Sequence, residues 1–183
     1  CDNQLEYYEW LKKIGTKFRE HISAGGGMSV PRGHILDPGP GEFLKLLRST
    51  ALAAGCKIMD RTPAERLVYD EKSKRIVGLI GKDRRNKELS FKATKGVILA
   101  TGGYTRDKEL LGLFTPLMKN SATICGLGST GDGLKMAWAY GAGLADVAYV
   151  KGTFGFKPGA TSISELAYIY YKGATPVNQE GKR

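Results

Sequence analysis

Apolar positions along the chain change their period several times, and each change marks an element. Across residues 4 to 20, Leu5, Tyr8, Leu11 and Ile14 or Gly15 recur at three-residue spacing, with Glu9, Lys12 and Lys13 elsewhere. That spacing predicts an amphipathic helix, for which Asn3 or Asp2 is a suitable N-cap. Residues 23 to 41 are dense in glycine and proline and predict an irregular loop. Helical spacing returns over about 41 to 54, where Phe43, Leu47, Ala51 and Ala54 share a side and Gly55 supplies a stop.

The period then shortens. Residues 57–59, 66–69, 75–80 and 88–91 are brief β-prone runs separated by turn-formers. Gly96-Val97-Ile98-Leu99-Ala100 is almost wholly apolar, which predicts a strand buried on both faces, as in a parallel sheet. Further on, residues 106 to 113 predict a short helix. Thr130-Gly131-Asp132-Gly133 opens another that runs to Gly141, and residues 144 to 150 read as a strand.

Composition narrows the class. The 183 residues are 42% hydrophobic and 25% charged, the profile of a soluble globular protein. No apolar run approaches the roughly 18 residues that a membrane span needs. The chain begins at Cys1 without an initiator Met and stops at Arg183. Both ends are expected to be cuts through a longer protein, so the compartment stays open between cytoplasm and periplasm. Cys1, Cys56 and Cys125 lie far apart, and His21 and His34 are the only histidines, so no metal site is expected. The net charge of +10 admits an anionic partner. Its tightest run, Lys82-Asp83-Arg84-Arg85-Asn86-Lys87, lies between two strand-like segments without interleaved aromatics. A solvated hairpin tip is expected there, not a nucleic-acid surface.

Two glycine turns carry candidate chemistry. Ala100-Thr101-Gly102-Gly103 ends the apolar run, where absent Cβ atoms let backbone approach a ligand, or simply allow a tight turn. Gly126-Leu127-Gly128-Ser129-Thr130-Gly131 matches G-x-G-x-x-G, yet the preceding residues 121–125 are short and polar-mixed. As a dinucleotide fingerprint its context is therefore poor. Its tail places Asp132 in the first turn of a helix, where the helix dipole favours an acid.

Together these residues resemble a known family. The segment Gly96-Val97-Ile98-Leu99-Ala100-Thr101-Gly102-Gly103-Tyr104, followed by the TGDG helix start at Thr130 and the later Ala139-Tyr140-Gly141-Ala142, is similar to flavoproteins of the fumarate reductase/succinate dehydrogenase type. Upstream, Gly26-Gly27-Met28-Ser29-Val30-Pro31-Arg32-Gly33-His34 resembles the family's GG-x-S-V-x-R-x-H. Val177-Asn178-Gln179-Glu180-Gly181-Lys182-Arg183 resembles its VN-x-x-G-K-R.

The resemblance implies an α/β fold and FAD as cofactor. Residues 1–147 would be part of a Rossmann-like FAD-binding domain with a β-meander insertion, and residues 148–183 the start of an α+β capping domain. Ala64, Thr101, Gly102 and Gly103 would approach FAD through backbone, with Gly131, Asp132 and Gly133 beside it. The family's N-terminal GxGxxG, its C-terminal flavin-covering segment and its catalytic arginine are not among these residues. Where fumarate-type members carry a substrate-binding histidine, this chain has Thr153. Their T-E-x-x-R proton relay is half kept, with Glu165 present and Tyr168 in place of arginine. A phenol cannot bind a carboxylate as a guanidinium does. Fumarate is thus not the expected substrate, and Thr153, Phe154 and Tyr168 would line a less polar pocket for a small molecule. The electron donor is not identified by these residues.

Two other readings fit parts of the chain: a nicotinamide-dependent Rossmann enzyme using Gly126 to Gly131, and a non-catalytic basic binding module. An unpaired apolar strand at 96–100 would also favour a homodimer of the piece.

Overall fold

The computed structural model describes residues 2–24, 28–152, 159 and 173–183. It divides into two compact units, Cys1–Asp60 and Arg61–Arg183.

In the first unit, helix α1 (Gln4–Lys13) buries Leu11 and leaves Leu5 exposed. Predicted to reach residue 20, it stops seven residues earlier. Gly15 sits at φ +101°, and its N–H donates to the Lys12 carbonyl, closing the helix end. The chain turns at once into β1 (Lys17–Ser23), which pairs antiparallel with β2 (Gly33–Asp37). Part of the segment expected to be loop is thus a strand. Cross-strand packing decides both changes. Tyr8 lies 5.1 Å from Phe18 and 4.7 Å from His34, ring centre to centre, a cluster that needs Phe18 and His34 on one ribbon. Helix α2 (Pro40–Ala53) begins on a proline whose fixed φ suits the first turn. It ends at Gly55, φ +84°. Residues 57–59 form no strand; the segment is instead tied by Arg48, which donates to both carboxylate oxygens of Asp60 at 3.1 and 2.8 Å.

The second unit is built on an antiparallel meander, β3 (Ala64–Asp70), β4 (Arg75–Lys82) and β5 (Glu88–Lys92), with β4 in the middle. Its inward residues include Leu67 and Ile80. The basic run caps the β4–β5 hairpin as expected. The Asp83 carboxylate accepts from the N–H groups of Arg85 and Lys87, Asn86 takes φ +64°, and Lys82 pairs with Glu65 at 2.7 Å.

Helices α3 (Lys108–Phe114) and α4 (Asp132–Trp138) complete the unit. Tyr104, Leu110 and Leu111 form its core, with Phe114, Met118, Leu134 and Val150 packed around them. Helix α4 is fixed to β3 by the Tyr140 hydroxyl, which donates to the Leu67 carbonyl at 3.0 Å, and by stacking of Tyr69 on Tyr140.

Two further predicted strands are absent. Residues 96–100 have no ladder partner among the described residues, and Ile98 is 92% exposed. A doubly buried strand exists only by pairing on both sides, and the described residues supply neither neighbour. Residues 144–150 are turned instead of extended. Asp146 adopts φ +56°, and the Tyr149 N–H closes back on its carbonyl. Among the described residues no helix is long and apolar enough to cross a membrane.

Candidate cofactor site

The two glycine turns, separated in sequence, meet in space. The Gly131 N–H donates to the Gly103 carbonyl at 3.1 Å, and the Arg106 N–H donates to the Ser129 carbonyl at 2.9 Å. Beside this contact neighbouring side chains fill the space that a Cβ on the second turn would need. A Cβ on Gly133 would lie 2.2 Å from Thr101 Oγ1, and one on Gly131 would lie 2.5 Å from Leu110 Cδ1. Gly102 and Gly131 both hold φ +75°, a left-handed conformation that glycine adopts at least cost. By contrast, Gly103 has nothing within 4 Å of where its Cβ would be, so its outer face is open to a ligand.

The anchoring behind this face was not foreseen from sequence. Asp107 is the N-cap of α3, its carboxylate accepting from the N–H groups of Glu109 and Leu110, both at 2.9 Å. It also pairs with Lys135 on α4. Tyr104 donates its hydroxyl to the Val147 carbonyl, while its ring fills the core. The helix itself was expected over 106 to 113, so Asp107 was placed inside it and not read as its cap. The Lys135 contact was not legible, because 28 positions separate the partners.

Ionisation follows from this pairing. The hydrogen bond from Lys135, and then the Leu110 N–H, hold the Asp107 carboxyl below its ordinary value of 3.8. Bonding to Asp107 raises Lys135 above its ordinary 10.5. For Asp107 the folded pKa is the lower one. The stability it contributes is therefore complete above pH 3.8 and is lost as pH falls through the depressed pKa. For Lys135 the sign reverses: its contribution is complete below 10.5 and is lost as pH rises through the raised pKa. Asp107→Asn keeps a capping acceptor and removes the charge. It is expected to cost under about 1 kcal/mol at neutral pH, since Lys135 is solvent-exposed. The variant should also flatten the acid limb of the unfolding midpoint against pH. An unchanged acid limb would show that the pair contributes nothing.

A groove of about 520 Å³ opens beside α4, lined by Ala64, Glu65 and Arg66 from β3 and by Asp132, Lys135 and Met136. Ala64 and Asp132 thus share one concave surface. The exposed Asp132 carboxylate is an acceptor suited to sugar hydroxyls, and Lys135 and Arg66 add positive charge nearby. Of the seven expected cofactor residues, Thr101, Gly102, Gly103, Gly131, Asp132 and Gly133 lie together at the paired turns, and Ala64 lines the groove with Asp132. Thr153, Phe154, Glu165 and Tyr168 fall outside the described residues.

The nicotinamide fingerprint does not form. Residues 121–125 are not a strand, the turn is an irregular loop, and α4 has seven residues. Without strand and long helix, Gly126 and Gly128 do not have the setting that holds a pyrophosphate in that motif.

Comparison with known proteins bears on the family and the cofactor. Residues 1–182 match the FAD binding domain family. The chain is 30% identical over its whole length to the probable fumarate reductase Ifc3 of Shewanella frigidimarina, covering 31% of that protein. It is also 30% identical to the urocanate reductase of Eggerthella lenta, again over its whole length and 31% of the relative. Among solved structures, the open conformation of a flavocytochrome c3 fumarate reductase superposes with a TM-score of 0.74 at 27% identity, over 82% of this chain and 27% of that one. A 3-ketosteroid-Δ4-(5α)-dehydrogenase from Rhodococcus jostii RHA1 in complex with 4-androstene-3,17-dione gives 0.72 at 25% identity, over 81% and 37%.

The chain belongs to the FAD binding domain family, among the fumarate-reductase-like flavoproteins, and its fold class is α/β. It spans about a third of the length of the curated relatives it matches. FAD is the cofactor of this family, and the residues present fit it. Two closely packed glycine turns, an open Gly103 and a groove with an acceptor at its rim are compatible with a nucleotide lying along backbone.

Proposed function

We propose that the protein is an FAD-dependent oxidoreductase that reduces a C=C bond beside an activating group, or introduces one in the reverse direction, and that fumarate is not its substrate. The juxtaposition of Gly103 and Gly131 carries the cofactor half of this reading. In the proposal, the backbone of Thr101, Gly102 and Gly103 lies against FAD, with Gly131, Asp132 and Gly133 forming the adjoining wall. The Asp132 carboxylate accepts from cofactor hydroxyls, and Ala64 approaches through backbone from β3. When bound, FAD supplies the hydride chemistry, and the protein contributes binding and orientation.

Residues 1–147 then belong to the FAD-binding domain and residues 148–183 begin the capping domain. Glu165 is assigned to proton delivery, and Thr153, Phe154 and Tyr168 to the substrate pocket. Substrates other than fumarate do occur among the relatives, whose names include urocanate reductase and vinyl phenol reductase beside the fumarate reductases. The chemistry at Tyr168 points away from fumarate. A phenol in place of a guanidinium loses a bidentate, charge-assisted grip on a carboxylate.

The test uses the intact protein with a reduced dye as electron donor. We expect bound FAD by absorbance and turnover of an aryl acrylate or a cyclic enone. For fumarate, kcat/KM should be lower by about 10- to 100-fold, the worth of one lost charge-assisted contact. Fumarate as the preferred substrate would overturn the substrate half, and protein purified without flavin and unable to take it up would overturn both halves.

A further inference from the structure

We propose that Arg106 is a positioning residue for the cofactor site, closing residues 125–129 onto the first glycine turn and so setting the separation of the two turns. The proposal rests on the FAD reading above. Arg106 comes shortly after that first turn, past Tyr104 and Thr105, and its side chain reaches across to the second. Nε donates to the carbonyls of Cys125 and Gly126, both at 3.0 Å, and Nη2 donates to Cys125 at 2.6 Å. Its backbone N–H donates to the Ser129 carbonyl at 2.9 Å. One residue thereby grips both ends of the 126–129 turn, and that turn closes on itself through Ser129 N–H to the Gly126 carbonyl at 3.0 Å.

The turn has little else to place it. Leu127 at its tip is 83% exposed, so burial does little to anchor it. Thr123 adds one bond beyond the near end, donating to the Thr105 carbonyl at 2.8 Å. Two residues past the turn comes Gly131, whose N–H meets the Gly103 carbonyl, and then Asp132 on the groove. The tether is therefore in line with the residues expected to face FAD. A planar guanidinium can serve two carbonyls at once, whereas an ammonium serves them as a point charge and a neutral residue lacks the charge-assisted bond.

The experiment compares wild type with Arg106→Ala, Arg106→Gln and Arg106→Lys in the intact protein. FAD is removed and then titrated back, and the unfolding midpoint of each FAD-free protein is measured in urea. Loss of one such tether is expected to weaken FAD binding about tenfold in R106A, with partial recovery in R106K and little movement of the FAD-free midpoint. An unchanged dissociation constant in R106A overturns the proposal. So does a parallel fall of affinity and FAD-free midpoint in both R106A and R106Q, which would make Arg106 a general fold contact. A wild-type protein that takes up no FAD removes the underlying reading as well, whereas failure in the variants alone leaves that reading standing.

Discussion

Gly131→Ala is expected to destabilise the protein by about 2–4 kcal/mol and to weaken FAD binding with it. Two costs combine. Gly131 is the N-cap of α4 at φ +75°, ψ 12°, where an L-residue is strained. The added Cβ would also stand 2.5 Å from Leu110 Cδ1 and 2.9 Å from Tyr104 Cβ. Leu110 and Tyr104 belong to the core, so neither can yield without disturbing Leu111, which is 2% exposed. The backbone response would pull the Gly131 N–H off the Gly103 carbonyl, widening the face against which the cofactor is proposed to lie. Urea unfolding and FAD titration measure the two effects. A loss below about 0.5 kcal/mol would mean that the turn relaxes freely and that the two glycine turns are not rigidly coupled.

Gly78→Ala is the second large effect, expected at about 3 kcal/mol, and it acts on the meander instead of the site. Gly78 lies on β4, the middle strand, opposite Val68 on one side and Lys92 on the other. A Cβ there would come within 2.2 Å of the Phe91 carbonyl oxygen and 3.2 Å of its carbon. Those are backbone atoms in a paired strand, so no side-chain rotation can make room. The strands must part, at the expense of ladder bonds between β4 and β5. A drop in the urea midpoint should therefore be accompanied by faster amide exchange in β5. Full stability in the alanine variant would require a β4–β5 register different from Gly78 opposite Lys92.

Legibility tracked the range of the interactions involved. The β4–β5 hairpin was readable because its information is local: alternating apolar residues flank a charged tip that Asp83 closes through its own neighbours. The site turns were readable for a similar reason, since glycine density at Gly102, Gly103, Gly131 and Gly133 marks close backbone approach. Helix α1 was overextended because the spacing of Leu5, Tyr8, Leu11 and Ile14 was carried on into residues that the Tyr8, Phe18 and His34 cluster redirects into a ribbon. Arg106 and Lys135 went unrecognised. Their partners lie 19, 20 and 28 residues away, and an isolated basic residue reads as surface until its acceptors are placed.

By itself the sequence determined the α/β class, the meander, the family and the set of glycines and Asp132 proposed to meet FAD. The meander's strands follow from local propensity, whereas the class, the family and the FAD-facing set came from the resemblance that the ordered motifs carry. Tertiary structure alone decided that the Gly103 and Gly131 turns share one face, that Arg106 and the Asp107–Lys135 pair brace it, and that residues 96–100 form no strand here. Each of those outcomes depends on which distant atom, or none, comes within hydrogen-bonding reach, and neither spacing nor composition encodes that distance.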